Sequence, residues 1–354
     1  MDETKRMHKG FKIFILIFSV SILLLIKLDK QNIISDIFNN DNSIESVLKK
    51  KETYNDTNLI YFNSRIIKWE DNVITYLKED GSNNWVKEFD LIEPGFILGK
   101  GNLYIIDKSS GDIFQLDMHG DTVLRLQLNK PIYNLKESNG NIIIHSKGNN
   151  EESLEFLNME GKKISSLSTE EKILTYSVQD NGTNYIYSTI ELRKSNLNSR
   201  IYVNSIENKN KYMVDFQGEI VIYTEFIQNA VVVLTDSGVY YIDNTGEIKW
   251  SRELNLIKDF HILNDRLYML YENSFEIIDL KGKSISKISF DAEYKKVLTI
   301  DNYTVLYSNN ELVILQEGKE VLKYTTEEII QNIFIDETNI IISFVDRLEV
   351  YGFN

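Results

Sequence analysis

The chain has 354 residues, with 39 basic and 53 acidic side chains and a formal net charge of −14. A nucleic-acid-binding surface needs clustered Lys and Arg, so this balance argues against nucleic acid as a partner. The absence of cysteine excludes a disulfide framework, a thiolate nucleophile and a Cys-ligated zinc. With only two prolines and many aromatic and β-branched residues, the composition predicts mainly β structure.

An uncharged apolar run lies close to the N-terminus. Residues 13–26 read IFILIFSVSILLLI, and we predict one transmembrane helix over residues 13–28. Because the run is short for a hydrocarbon core of about 30 Å, spanning requires Lys12 and Lys27 to extend towards the interfaces. A cleaved signal peptide is the alternative. However, the following KLDKQNIISDIF contains no small-residue cleavage site, so we expect an uncleaved anchor.

The charges that flank this run predict its orientation. Basic residues are denser before the span than after it, namely Lys5, Arg6, Lys9 and Lys12 against Lys27 and Lys30. The positive-inside rule therefore places residues 1–12 in the cytoplasm and the rest of the chain on the extracytoplasmic side. A cytoplasmic location would need insertion against this bias. The polar residues 29–58 are expected to form a stalk, with a short helix over 44–52 as one option.

Short apolar runs recur between turn signals from Leu59 onwards. Segments that begin at Ala230, Arg266, Asn302 and Thr338 share one interval of 36 residues. An interval of this length suits a four-stranded propeller blade. Paired β-sandwiches would also contain short strands and Gly turns, but they require no constant interval. We therefore predict an all-β fold, with a β-propeller over residues 59–354.

A recurring turn signature predicts the number of blades. It places Asp or Asn first and Gly fourth in a type I turn. The signature fits Asp117 with Gly120, Asn158 with Gly161, Asp243 with Gly246 and Asp279 with Gly282, and Gly81, Gly318 and the segment 208–211 mark three further turns. Seven turns and a truncated last copy predict seven or eight four-stranded blades, and we favour eight. The last copy lacks an outer strand, and Leu59–Phe62 is expected to supply it and close the ring.

The stretch VYYIDNTGEIKW, Val239–Trp250, resembles the repeat of pyrroloquinoline-quinone-like propellers, with a strand, a D-x-T-G turn and a Trp four residues after the Gly. Gly81 and Trp85 repeat the last spacing. The resemblance implies that these Trp side chains dock neighbouring blades. The quinone enzymes use a vicinal cysteine pair and a calcium site, and this chain has no cysteine. The resemblance is therefore to the non-enzymatic members, including envelope scaffold propellers and uncharacterised single-span propeller proteins of Gram-positive bacteria.

The sequence contains no recognisable catalytic constellation. The histidines lie in the N-terminal tail and in three different repeats, at His8, His119, His145 and His261. Three aspartates with the turn signature, Asp117, Asp243 and Asp279, are assigned to turns. No hydrolase, metalloprotease, P-loop, dinucleotide-binding or EF-hand motif occurs. We therefore expect no enzyme activity, no cofactor, and no catalytic, cofactor-binding or metal-ligating residues.

One segment is longer than its counterparts in the other repeats. It spans Asp180–Arg200, and within it Asn196–Arg200 is expected to be a polar loop. Insertions of this kind lie on one propeller face and can form a binding surface, although a tolerated surface loop is the plainer alternative.

These features predict a membrane-anchored extracytoplasmic β-propeller that acts as a non-catalytic protein-interaction scaffold in the cell envelope. Its expected partners are the membrane, through the N-terminal helix, and another envelope or membrane protein, through one rim. The alternative is a ligand- or glycan-binding sensor that uses the propeller channel or rim. A degenerate enzyme would require carboxylates from at least three blades to meet in the channel.

Overall fold

The computed structural model describes residues 48–78, 81–193, 196–207, 209–336 and 338–353. In this part of the chain all regular structure is β, in 32 strands that form eight four-stranded sheets. Seven sheets are antiparallel meanders of four consecutive strands, and the eighth combines β30, β31 and β32 with β1. The sheets are the blades of a β-propeller, numbered 1 to 8 in chain order. The prediction of eight blades is confirmed.

The strands of blades 1 to 4 are β2 (Leu59–Phe62), β3 (Arg65–Glu70), β4 (Val73–Leu77), β5 (Asn83–Glu88), β6 (Pro94–Leu98), β7 (Leu103–Asp107), β8 (Asp112–Leu116), β9 (Thr122–Gln127), β10 (Asn134–Ser138), β11 (Asn141–Lys147), β12 (Glu152–Asn158), β13 (Lys163–Thr169), β14 (Lys172–Val178), β15 (Asn184–Arg193), β16 (Asn196–Ser205) and β17 (Asn210–Gln217). Those of blades 5 to 8 are β18 (Val221–Ile227), β19 (Ala230–Thr235), β20 (Gly238–Ile242), β21 (Ile248–Glu253), β22 (Ile257–Leu263), β23 (Arg266–Tyr271), β24 (Ser274–Asp279), β25 (Ser284–Ser289), β26 (Lys296–Ile300), β27 (Tyr303–Tyr307), β28 (Glu311–Gln316), β29 (Lys319–Thr325), β30 (Asn332–Ile335), β31 (Asn339–Ser343), β32 (Leu348–Phe353) and β1 (Leu48–Tyr54).

The ring closes through the first strand of the described chain. β1 pairs antiparallel with β32, from Leu48 opposite Phe353 to Tyr54 opposite Leu348, and so supplies the fourth strand of blade 8. The prediction that Leu59–Phe62 closes the ring is wrong, because that segment pairs with β3 as the inner strand of blade 1. The closing strand lies within the range 29–58 predicted as a stalk. It also replaces the helix considered over 44–52, of which residues 48–52 are extended.

The hydrophobic pattern of each strand follows its place in the blade. Second strands lie between two neighbouring blades and are buried on both faces, so β7 and β19 read as continuous apolar runs. Outer strands contact a neighbour on one face only. In β9, β21 and β25 half-buried and exposed residues therefore alternate.

The Asp–Gly turns have the predicted hydrogen bonds. At Asp243 the backbone carbonyl accepts from the Gly246 amide at 3.1 Å, and the carboxylate accepts from the amides of Thr245 and Glu247 at 2.9 and 3.0 Å. Gly246 has a φ of 90°, which a residue without Cβ adopts at little cost. Asp117 and Asp279 make the same bonds.

Five of the turn glycines lie beneath a side chain from the outer strand of the preceding blade, namely Gly120, Gly161, Gly246, Gly282 and Gly318. Trp85 lies over Gly120 and Trp250 over Gly282, and the Trp250 indole donates to the carbonyl of Leu280 at 2.9 Å. The interblade role implied for both tryptophans is therefore observed.

Gly282→Ala is expected to lower the free energy of unfolding by about 2–3 kcal/mol, since it combines a positive φ with overpacking. An added Cβ would lie 2.9 Å from the Trp250 ring, at a φ of 80°. Gly218→Ala is the matched control, because Gly218 has a φ of 79° and open space around it. It should cost only about 1 kcal/mol. Equal losses in urea denaturation would show that the indole contact contributes nothing.

The propeller has two distinct faces. The upper face carries the links between blades and the loops between second and third strands, and the lower face carries the other two sets of turns. Leu48 lies at the lower end of the outer strand of blade 8, so the described chain begins at the lower face. Among the described residues no helix is long and apolar enough to cross a membrane, and the predicted span at 13–28 lies outside them.

Candidate protein-interaction surface

Exposed apolar side chains are distributed unevenly between the two faces. Of the large ones in the described chain, seven lie on the upper face and one, Leu98, lies at the lower end of an inner strand. The seven on the upper face are Ile92, Tyr133, Leu174, Ile222, Leu256, Ile329 and Val345. The rest belong to outer strands. Single exposed apolar residues are ordinary, but a group on one face marks a candidate interaction surface.

Three of these residues occupy the same position in three consecutive blades. Tyr133 directly precedes β10 in blade 3, where its amide donates to the His145 carbonyl at 2.8 Å, and Leu174 and Ile222 stand at β-bulges of the inner strands of blades 4 and 5. They are 55, 36 and 46% exposed. A bulge leaves one residue without a cross-strand partner and redirects its side chain. We call these three residues the apolar arc.

Contacts between blades hold the arc together. The hydroxyls of Thr175 and Thr224 lie 2.8 Å apart, which brings the inner strands of blades 4 and 5 into direct contact beside Leu174 and Ile222. Tyr133 packs edge-on against His145, with ring centroids 5.0 Å apart. The His145 ring in turn packs edge-on against Tyr176 of blade 4. These contacts link the three blades that carry the arc.

A side chain from the preceding blade fixes the start of two inner strands of the arc, β14 and β18. The Glu152 carboxylate of blade 3 accepts the backbone amide of Ile173 at 2.9 Å, one residue before Leu174. The Ser199 hydroxyl of blade 4 accepts the amide of Val221 at 3.3 Å, one residue before Ile222. Because these amides are held by neighbouring blades, the bulged side chains have fixed directions.

A buried ionisable pair lies under the arc. His145 Nε2 is 3.0 Å from Glu152 Oε2, and both side chains are almost completely buried. Burial lowers the pKa of His145 and outweighs the opposing effect of the Glu152 carboxylate. For Glu152, burial acts to raise the pKa, but hydrogen bonds from Ile173 and His145 outweigh it and the net shift is downward. We infer a neutral imidazole that donates to an ionised carboxylate at neutral pH.

A long hairpin rises from the upper face next to Leu174. Its strands β15 and β16 have ten residues each, and the last pair that β15 makes with β14 is Ile190 with Lys172. Three further residues extend the ribbon by roughly 10 Å. The expectation of a polar loop over Asn196–Arg200 is wrong, since these residues belong to β16. The longer segment was identified from the sequence, and the structure places its hairpin beside the arc.

Arg200 anchors the base of this hairpin. Its guanidinium lies 2.6 Å from Asp215 and 3.4 Å from Glu171, and it also donates to the Tyr202 hydroxyl at 3.0 Å. The hydrogen bonds that Arg200 donates to Tyr202 and Asp215 raise the pKa of Arg200. The hairpin is thus fixed to both β17 and the link that precedes β14.

The upper face is strongly acidic. Its described loops carry fifteen acidic and four basic residues, against eleven and six on the lower face. The acidic residues of the upper face are Asp56, Asp71, Asp90, Glu93, Glu151, Glu170, Glu171, Glu219, Asp236, Glu272, Asp291, Glu293, Glu327, Glu328 and Asp346, and the basic ones are Lys108, Lys130, Lys295 and Arg347.

The structure does not bring the remaining histidines together. His119 is exposed in the β8–β9 turn, and His261 lies in β22, with its Nδ1 2.6 Å from the Thr299 hydroxyl. His8 lies outside the described residues. Across the described ranges, no group of three or more His, Asp or Glu side chains is arranged to hold a metal ion.

A cavity in the channel region opens at its lower mouth. It measures about 790 Å³ and is lined by inner-strand residues of blades 7, 8, 1 and 2, among them Leu298, Phe334, Phe62 and Leu98. The alternative of ligand binding in the channel stays a prediction, and this cavity is where it would be tested.

The arc itself was missed by sequence analysis. Leu174 stands in the apolar pattern KILTYSV, where nothing separates it from the buried Ile173. A bulge depends on the partner strand, and so it leaves no local signal. The same holds for Ile222 in VIYTEFI.

Comparison with known proteins supports the fold. BamB from Moraxella catarrhalis is similar with a TM-score of 0.61 and 12% identity, over 87% of this chain and 100% of that chain. Sqt1 from Saccharomyces cerevisiae has a TM-score of 0.61 and 8% identity, over 87 and 98% of the two chains. BBS1N, solved in complex with ARL6DN, has a TM-score of 0.50 and 10% identity, over 87 and 97%. These identities are too low to show more than a shared propeller architecture.

Among curated proteins, none matches this chain. The narrower resemblance to pyrroloquinoline-quinone-like repeats and to single-span proteins of Gram-positive bacteria stays a prediction. The model of a family of unknown function, DUF5711, matches residues 35–351, nearly the whole chain. The chain therefore belongs to the DUF5711 family.

Proposed function

We propose that this protein is a membrane-anchored, extracytoplasmic scaffold without catalytic activity, which binds another envelope or membrane protein through the upper face of its propeller. The observation that carries the proposal is the apolar arc of Tyr133, Leu174 and Ile222, exposed at equivalent positions of three adjacent blades. Protein interfaces combine exposed apolar and aromatic residues with a polar rim. The arc and its acidic surroundings have this composition.

The direction of the chain supports an outward-facing binding surface. The described residues begin at the lower face, so an N-terminal anchor would hold that face towards the membrane. The upper face, with the arc and the β15–β16 hairpin, would then point away from it and be open to a partner. The similar fold of BBS1N was solved with a protein partner, which supports a binding role by analogy only.

The location is tested by adding protease to intact cells that produce the full chain. We expect the propeller to be digested while a cytoplasmic marker protein survives. Protection of the propeller until the cells are lysed would contradict the extracytoplasmic location.

The binding surface is tested by photo-crosslinking in the same cells. A photoreactive residue at Tyr133 is expected to give a discrete crosslinked protein. The same residue at Val123, which is equally exposed on an outer strand, is expected to give none. Identical patterns at both positions would contradict a scaffold that uses the upper face.

A further inference from the structure

We propose that the apolar arc and its acidic surroundings form a docking site for one kind of partner, a short protein segment whose apolar side chains are flanked by Lys or Arg. This inference rests on the proposed scaffold function and adds the chemistry of the partner. It is argued from the free charges around the arc, the occupants that these charges disfavour and the shape of the surface.

Among the side chains that the structure describes, three lysines near the arc already have partners within the protein. Lys130 pairs with Glu155, and Lys172 lies 3.4 Å from Glu152. Lys147 lies 3.8 Å from Glu152, with its ammonium 3.3 Å from the Tyr133 ring centroid. The local cations are therefore engaged with groups of the propeller itself.

Several carboxylates beside the arc remain available. Glu151 and Glu170 are exposed and make no ion pair within the described part of the chain. Glu151 lies in the loop between β11 and β12 of blade 3, and Glu170 lies in the link from blade 3 to blade 4, just before β14. A partner that covers the arc must meet this negative charge, and flanking Lys or Arg would complement it.

The same charge disfavours the other common occupants of an exposed apolar patch. A second copy would place two faces together, each with fifteen acidic against four basic residues in its described loops, and like charges across an interface are unfavourable. An anionic lipid surface would be repelled in the same way. A basic protein segment is the occupant that complements both the apolar and the charged parts of the surface.

The long hairpin of blade 4 favours a segment over a flat domain as the occupant. β15 and β16 extend beyond the last β14–β15 pair, so the hairpin projects beside Leu174. A segment lying along the arc would contact Tyr133, Leu174 and Ile222 in turn, and the hairpin would border it.

The test uses the full chain in detergent and fluorescent amphipathic peptides of Leu and Lys. Binding is followed by fluorescence anisotropy, with peptides in which Lys is replaced by Glu, or Leu by Ser, as probe controls. We expect the Leu/Lys peptide to bind at least tenfold more tightly than either control peptide. Its affinity should fall when the salt concentration is raised.

Matched variants locate the site. Leu174→Ser with Ile222→Ser should weaken binding of the Leu/Lys peptide at least tenfold. Ile164→Ser with Ile248→Ser should change it less than twofold, because these outer-strand residues are 38 and 42% exposed, close to the 36 and 46% of the arc pair. Unchanged unfolding midpoints establish that both double variants are folded.

Several results would overturn the inference. The site is wrong if the two double variants weaken binding of the Leu/Lys peptide equally, and the charge argument is wrong if the Glu peptide binds as tightly as the Leu/Lys peptide. The occupant is wrong if sedimentation shows self-association that depends on Leu174 and Ile222, or if the protein binds anionic vesicles through these two residues. If the peptides fail to bind while crosslinks from Tyr133 persist in cells, the scaffold function stands and the partner chemistry is wrong.

Discussion

Leu48→Asp is expected to prevent stable closure of the ring and to lower the free energy of unfolding by about 4 kcal/mol or more, because it buries an unpaired carboxylate. Leu48 is completely buried in the cluster that joins blades 7 and 8, with Leu312 and Ile340 among its members. It begins the only strand that holds the N-terminal end of the described chain to the C-terminal end. Opening this pairing would expose the edge of β32.

The measurement is chemical denaturation followed by tryptophan fluorescence and circular dichroism. Lys49→Asp is the matched control, since it adds the same side chain to the neighbouring, exposed position of β1. It should shift the midpoint little. If Leu48→Asp unfolds at the same denaturant concentration as Lys49→Asp, closure by β1 contributes nothing to stability.

The second large effect concerns the buried pair beneath the apolar arc. Glu152→Ala should lower the free energy of unfolding by about 3–5 kcal/mol, because it removes one partner of a buried, hydrogen-bonded pair. It leaves the Ile173 amide and His145 without their acceptor. Since that amide stands one residue before Leu174, peptide binding at the arc should weaken as well. If Glu152→Ala unfolds at the same urea concentration as the wild-type protein, Glu152 does not have this role.

The same pair should make the stability of the protein depend on pH. The pKa of His145 is lowered in the folded state, so the unfolded chain binds more protons below about pH 6.5 and stability falls as the pH drops. The pKa of Glu152 is also lowered, so its contribution is present above about pH 4.5 and is lost as the pH falls through the folded value. Both shifts have the same sign, and stability should decline continuously below about pH 6.5.

His145→Gln should flatten this decline between pH 7 and 5, because the amide can still donate to Glu152 but does not titrate. The slope should not vanish, since burial also lowers the pKa of His261. His119→Gln, in an exposed turn, is the control and should leave the profile unchanged. Parallel profiles for the two variants would show that His145 does not carry the effect.

Much of the blade architecture could be predicted from the sequence because it is encoded locally. Asp243 and Gly246 specify their turn through bonds within five residues, and the apolar run of β19 records burial between two blades. The interval of 36 residues follows from the repetition of such units. These signals depend only on residues close together in the sequence, so they can be recognised without knowing which strands pair.

The surface proposed for binding was decided by tertiary structure. The segment Asn196–Arg200 is polar enough to read as a loop, yet it forms the start of β16, because Asn198, Ser199 and Arg200 pair with β17 on one side and with β15 on the other. Leu174 and Ile222 read as core residues, and they are exposed only because a bulge opposite the second strand turns them outward.

Closure also depended on a contact that no local pattern could specify. β1 reads LKKKETY, with only Leu48 and Tyr54 buried, so it lacks the alternation expected of a strand. Its partner lies some three hundred residues away, and an outer strand needs few apolar residues because it is covered on little of its surface. The sequence by itself thus determined the blades and their number, whereas the ring closure and the exposed arc arose from pairing between distant strands, which local residue patterns do not record.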